Sequence, residues 1–120
     1  MNKSFILLLA LLVLFYYYSC FYYNNENFTG EVKTKVLFFY SDGCPYCNEM
    51  KPEWKRFEKI VKSNPSIITV NIDIDDEKNN SLKGKYNIET VPFIIKIEGD
   101  REEVFNKERT AENLLKFVNL

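Results

Sequence analysis

A chain of 120 residues, 46% hydrophobic and 28% charged, is sized and balanced for one small globular domain, not for two domains or a disordered tail. Its 16 Lys and Arg nearly cancel 17 Asp and Glu, so no basic surplus exists to drive nucleic-acid binding. Histidine is absent, which removes His-dependent triads and His metal sites, and the three cysteines are too few for a disulfide-stapled scaffold.

The first 25 residues have the composition of a membrane segment. No charge occurs from Ser4 to Asn25, and Phe5 to Phe15 is continuously apolar. As a helix, residues 5–23 would be roughly 28 Å long, about the thickness of a hydrocarbon core. Tyr16, Tyr17, Tyr18, Phe21, Tyr22 and Tyr23 form an aromatic cluster suited to the interface, where a ring is buried and its hydroxyl is wet. A cleaved signal peptide also begins with a basic residue, here Lys3, but needs small residues before the cut where this chain has bulky tyrosines. A lipid-bearing Cys20 fits poorly behind Tyr17-Tyr18-Ser19, and Cys20 reads as a small membrane-buried residue. The expectation is therefore an uncleaved signal-anchor over residues 1–25. It would make a single-pass membrane protein with its domain on the lumenal or extracytoplasmic side.

A polar linker over residues 26–33 should lead into a domain over residues 34–120. Val36 to Tyr40 is a β-rich apolar run, buried on both faces if it is a strand. Ser41-Asp42-Gly43 signals a turn, and Pro45 suits the first position of a helix, where its missing N–H costs nothing. That helix should reach about Lys62, with Met50, Trp54, Phe57 and Val61 as its apolar stripe and a kink at Pro52. Ile67 to Ile72 is a second strand, and the polar stretch from Asp73 to Lys85 holds a short helix at best. A third strand spans Val91 to Ile97, interrupted by Pro92; Glu98 to Arg101 turns the chain, and Glu102 to Phe105 returns as an edge. Thr110 can cap a last helix that buries Ala111, Leu114, Leu115 and Val118. The order βα, β, short helix, ββ, α specifies an α/β fold with a mixed sheet and helices packed on it.

The reactive chemistry is concentrated in Cys44-Pro45-Tyr46-Cys47, at a strand-to-helix junction. Cys44 as N-cap would face unpaired N–H groups and the positive end of the helix dipole, which favours thiolate, the attacking form in disulfide exchange. Cys47, one turn on and deeper, could resolve the mixed disulfide. Other readings of the pair are half of a zinc site, an iron–sulfur cluster shared between two chains, and a purely structural disulfide. A zinc site lacks further ligands in a chain without His, and a disulfide across so tight a loop adds little stability.

Val36 to Trp54 resembles the active-site strand and helix of the thioredoxin superfamily, including a proline five residues after the second cysteine. Val70-Asn71-Ile72-Asp73 resembles its central strand, and Tyr86 to Phe93 the segment that carries its cis-proline. Arg109 to Phe117 is similar to the start of the final helix of protein disulfide isomerase domains. The resemblance implies a thioredoxin-like fold, a mixed four-stranded sheet flanked by helices, with Pro92 cis against the cysteine pair. It further implies a substrate groove at Val91 and Phe93, with backbone pairing at Val91, and an Arg109 that lowers the Cys47 pKa. Pro45 and Tyr46 would support the site, and the dithiol would need no metal or cofactor.

The sequence also departs from that pattern. A buried acid six residues before the first cysteine is here Phe38, and the lysine that accompanies it in disulfide isomerase domains is Thr69. The usual aromatic residue before the first cysteine is Gly43, and the family's first strand and helix have no room. Pro45-Tyr46 and Thr90-Val91-Pro92 are typical of glutaredoxins, but Lys107-Glu108-Arg109 stands where a glutaredoxin has a Gly-Gly turn and an acid. The expected function is exchange with protein thiols and disulfides, Cys44 attacking and Cys47 resolving, with an unidentified electron donor or acceptor as second partner. Glutathione-dependent exchange and a tethered, non-catalytic binding module are the alternatives. Asn27-Phe28-Thr29 and Asn79-Asn80-Ser81 match the glycosylation sequon.

Overall fold

The computed structural model describes residues 2–26 and 32–120. The chain divides into two compact units, with the division between Glu31 and Val32. Most of the expected linker, including the Asn27 sequon, lies outside the described residues.

The first unit is helix α1, Lys3–Glu26. It runs through Asn24 and Asn25 to Glu26, so helix occupies the first position expected of the linker. Lys3–Tyr22 has a mean hydropathy of 2.1, and none of it is buried against protein. A helix this apolar on every side suits a hydrocarbon surround and is a candidate membrane span.

The second unit contains β1 (Thr34–Tyr40), α2 (Pro45–Val61), β2 (Ile67–Asp73) and α3 (Asn80–Lys85), the last preceded by a 3₁₀ turn at Glu77–Asn79. It continues with β3 (Phe93–Glu98), β4 (Arg101–Val104) and α4 (Ala111–Phe117). The four strands form one mixed sheet in the order β2-β1-β3-β4. β1 pairs parallel with β2 and antiparallel with β3, and β3 pairs antiparallel with β4. This is the thioredoxin-like α/β fold.

Strand β1 is apolar on both sides because both sides are covered. Val36 and Phe38 enter a core with Met50, Trp54, Phe57 and Val61 of α2, Ile94, and Ala111, Leu114 and Val118 at α4. The Phe38 and Trp54 rings lie 4.9 Å apart. Leu37 and Phe39 enter a second core with Ile72, Ile88 and Ile95, flanked by Leu82, Tyr86, Val91 and Phe93.

The helix stripe expected from Met50 to Val61 is buried, with Lys62 as the C-cap. β3 begins at Phe93, because Pro92 offers the ladder no N–H. β4 starts one residue earlier than expected: Gly99, with φ of +60°, makes the turn tight enough for Arg101 to pair with Glu98. Phe105 leaves the strand but keeps an N–H bond to the Ile94 carbonyl, and its ring sits 5.3 Å from that of Phe117. Thr110 caps α4 through Asn113 N–H, and Val118 forms its far cap rather than a further turn. Lys96, buried on β3, donates to the Phe117 carbonyl and pairs with Glu103 at 3.0 Å, closing the end of α4.

Candidate active site

The turn Ser41-Asp42-Gly43 carries the chain from β1 into α2 and sets Cys44 at the N-cap, with extended backbone at φ −89° and ψ 114°. Cys44 N–H donates to the Ser41 carbonyl at 3.2 Å, and Pro45 opens the helix. Three side-chain contacts hold this turn. Asn48 Nδ2 donates to the Asp42 carbonyl, Lys51 Nζ pairs with Asp42 at 2.7 Å, and Ser41 Oγ donates to Asp75 at 2.6 Å.

The two sulfurs sit in different surroundings. Cys44 is half-buried and Cys47 is fully buried, both as free thiols. The backbone N–H of Cys47 donates to Cys44 Sγ at 3.2 Å. The Cys44 thiol in turn donates to the Val91 carbonyl at 3.6 Å, across the cis Val91–Pro92 bond implied by the family resemblance.

Burial works against ionisation of Cys44, but donors outweigh it. The Cys47 side chain, the N–H groups of Cys47 and Tyr46, and the Arg109 charge together hold the Cys44 thiol below its ordinary value. Burial pushes the Cys47 thiol up to about 11, reinforced by its hydrogen bond to Cys44 and the charge there; the Ser41 backbone and Lys51 pull the other way. One sulfur is therefore primed to attack, and its neighbour holds its proton.

The expected site residues fall on two sides of this pair. Tyr46, exposed at 63%, and Pro92 line a groove of about 570 Å³ with Met50, Phe105, Lys107 and Arg109. Val91 presents its carbonyl to Cys44, but Val91 and Phe93 pack toward the second core and do not line that groove. The Phe93 ring lies 6.0 Å from Phe39. Arg109 is at the groove, where its charge bears on Cys44, and the Lys51 charge bears on Cys47.

Sequence reasoning passed over Asp42, Asn48 and Lys51. The available signal was the four-residue step from Cys47 to Lys51, which places them on one helix face. It also passed over Glu53, whose carboxylate accepts the Ala111 N–H at 2.7 Å and ties α2 to the start of α4. Among the described residues, no group of acidic or cysteine side chains is arranged to hold a metal ion.

The thioredoxin family model matches residues 19–120. A protein disulfide-isomerase of Zea mays is 37% identical over 86 residues, covering 69% of this chain and 17% of that protein. Protein disulfide isomerase-like 2-3 of Oryza sativa is 35% identical over 86 residues, covering 68% and 19%. The chain spans less than a fifth of the length of these curated relatives. Among solved structures, the first thioredoxin domain of mouse protein disulfide-isomerase A4 superposes with a TM-score of 0.64 at 25% identity, covering 79% of this chain and 67% of that one. A malarial protein gives a TM-score of 0.61 at 22% identity over 72% of this chain and 93% of that one, a likeness of fold alone.

Proposed function

The chain belongs to the thioredoxin family, and from that premise we propose that it is a membrane-anchored thiol–disulfide oxidoreductase acting on protein disulfides through Cys44 and Cys47. The observation that carries the reading is the placement of the two sulfurs: a half-buried Cys44 at the N-cap of α2, accepting the Cys47 N–H at 3.2 Å, beside a fully buried Cys47.

The Cys44 thiolate attacks one sulfur of a client disulfide. A Cys44–client mixed disulfide forms, and the first client sulfur departs as thiolate and takes a proton from water. Cys47 then gives its proton to solvent and attacks Cys44 Sγ. The Cys44–Cys47 bond forms and the second client thiol leaves, so two electrons have passed from the dithiol to the client. Run backwards, the same steps oxidise a client dithiol. The groove beside Tyr46 and Pro92, with Met50 and Phe105 against Glu49, Lys107 and Arg109, offers a mixed apolar and charged surface for the chain flanking the client cysteine. Helix α1 anchors the domain, and Lys3 at its start favours a lumenal or extracytoplasmic position for residues 32–120.

The test is trapping. In the full chain in detergent, Cys47→Ser should accumulate a mixed disulfide with a disulfide-bonded polypeptide, and Cys44→Ser should accumulate none. Equal disulfide reduction by the wild-type chain and a variant lacking both thiols would instead support a tethered binding module.

A further inference from the structure

Resolution requires Cys47 to lose a proton, yet it is fully buried and its thiol is pushed up to about 11. Phe38 of β1, packed on Trp54, stands where the family resemblance would put a buried acid, so no carboxylate is there to receive the proton. The Cys44 charge opposes ionisation of the Cys47 sulfur and the Lys51 charge favours it, more weakly than burial opposes it.

Lys51 is one helical turn beyond Cys47 on the same face of α2, the spacing at which side chains meet. Its ammonium does not swing freely. Nζ bonds Asp42 at 2.7 Å and lies 5.1 Å from the centre of the Tyr40 ring. The two charges of this pair are unequally exposed: the Lys51 side chain is 31% accessible and that of Asp42 77%. Water therefore screens the carboxylate more than the ammonium, so Asp42 weakens the field of the cation without cancelling it. The other charges around the hollow that Lys51 lines are Lys55 and Glu58, and the Glu58 carboxylate is occupied by Asn71 Nδ2 at 3.0 Å. Arg109 lines the groove beside Tyr46 and bears on Cys44 instead.

We propose that the Lys51 ammonium, held by Asp42 and Tyr40 one turn beyond Cys47, is the cation that helps the resolving thiol to lose its proton. The inference rests on the exchange chemistry proposed above and assigns the second half of that reaction. The proton passes to solvent; Lys51 stays protonated and stabilises the thiolate left on Cys47 until it bonds to Cys44. Once Cys44 is in a mixed disulfide it carries no negative charge, so nothing on that sulfur opposes the Lys51 field.

A neutral dipyridyl disulfide separates the two halves, because each step releases one absorbing thiopyridone. The full chain with Cys20→Ser, reduced and held in detergent, should release the first equivalent when Cys44 attacks and the second when Cys47 resolves. In Lys51→Met the second release should slow by roughly two- to fourfold at neutral pH: a half to one unit on the thiol pKa cuts the thiolate fraction about three- to tenfold, and the greater nucleophilicity of the more basic thiolate offsets about half of that on a logarithmic scale. The first release should stay within about twofold, which also shows that the variant is folded. The deficit should narrow as pH rises, and Lys51→Arg should restore the second rate. An unchanged second release, equal slowing of both, or no rescue by arginine would overturn the assignment. Absence of any first release in the parent chain would overturn the exchange reading itself.

Discussion

Reduced protein exposed to iodoacetamide at pH 7 should be modified almost exclusively at Cys44 of the active-site pair. A thiol at its ordinary value of 9.0 is about one per cent thiolate at that pH, whereas one at about 11 is roughly one part in ten thousand. Since Cys44 lies below the ordinary value, its thiolate fraction exceeds that of Cys47 by more than about 100-fold, before the closed surroundings of Cys47 are counted. Initial rates over a pH series, assigned to each cysteine by peptide mass spectrometry, should show Cys44 titrating first. The Cys47 rate should still be rising at the alkaline end. Cys44→Ser should lower the Cys47 midpoint, because a hydrogen bond and a charge that oppose its ionisation are removed, but burial should keep it above an ordinary thiol. Comparable rates at the two cysteines at pH 7, or a Cys44 midpoint at or above that of a free cysteine, would refute the reasoning.

Other perturbations have equally definite outcomes. Phe38→Ala removes a ring packed between Trp54 and Tyr40 and should cost about 3–5 kcal/mol in denaturant unfolding, with Cys44 reactivity falling only as the unfolded fraction grows. Glu53 is held below its ordinary value mainly by the Ala111 N–H and then by Arg56, so its carboxylate favours the folded state above the ordinary glutamate pKa. That contribution is lost as pH falls through the lowered folded value. Glu53→Gln should therefore melt at a lower temperature at pH 7, and the gap should close in acid. Thr110→Ala should cost about 1 kcal/mol through the lost cap to Asn113 N–H, measured by the same unfolding assay.

The parts of the fold legible in the sequence were those written in local pattern. Val36 to Tyr40 alternates between two cores, so an uninterrupted apolar run announced a strand buried on both faces. Cys44 could be placed at an N-cap because turn residues precede it and Pro45 follows. What was not legible depends on contacts between distant segments. The groove joins Tyr46 of α2, Pro92 before β3 and the stretch from Phe105 to Thr110, and no local signal shows that these meet. Phe93 was expected in that groove, but the alternation of β3 sends its ring to the core shared with Phe39. Glu53 caps a helix that begins 58 residues later. The family resemblance points to Arg109 for Cys47, while Lys51, one turn beyond Cys47 along the same helix, carries no such signal.

The most direct test of the account is the redox equilibrium of the full chain in detergent, poised against glutathione buffers and read by mass spectrometry of the trapped thiols. One two-electron transition should join Cys44 to Cys47 and leave Cys20 reduced. Its midpoint should lie in the range of roughly −270 to −180 mV that separates thioredoxin from protein disulfide isomerase. A pair that stays reduced in the most oxidising buffer, or that forms its disulfide through Cys20, would contradict it.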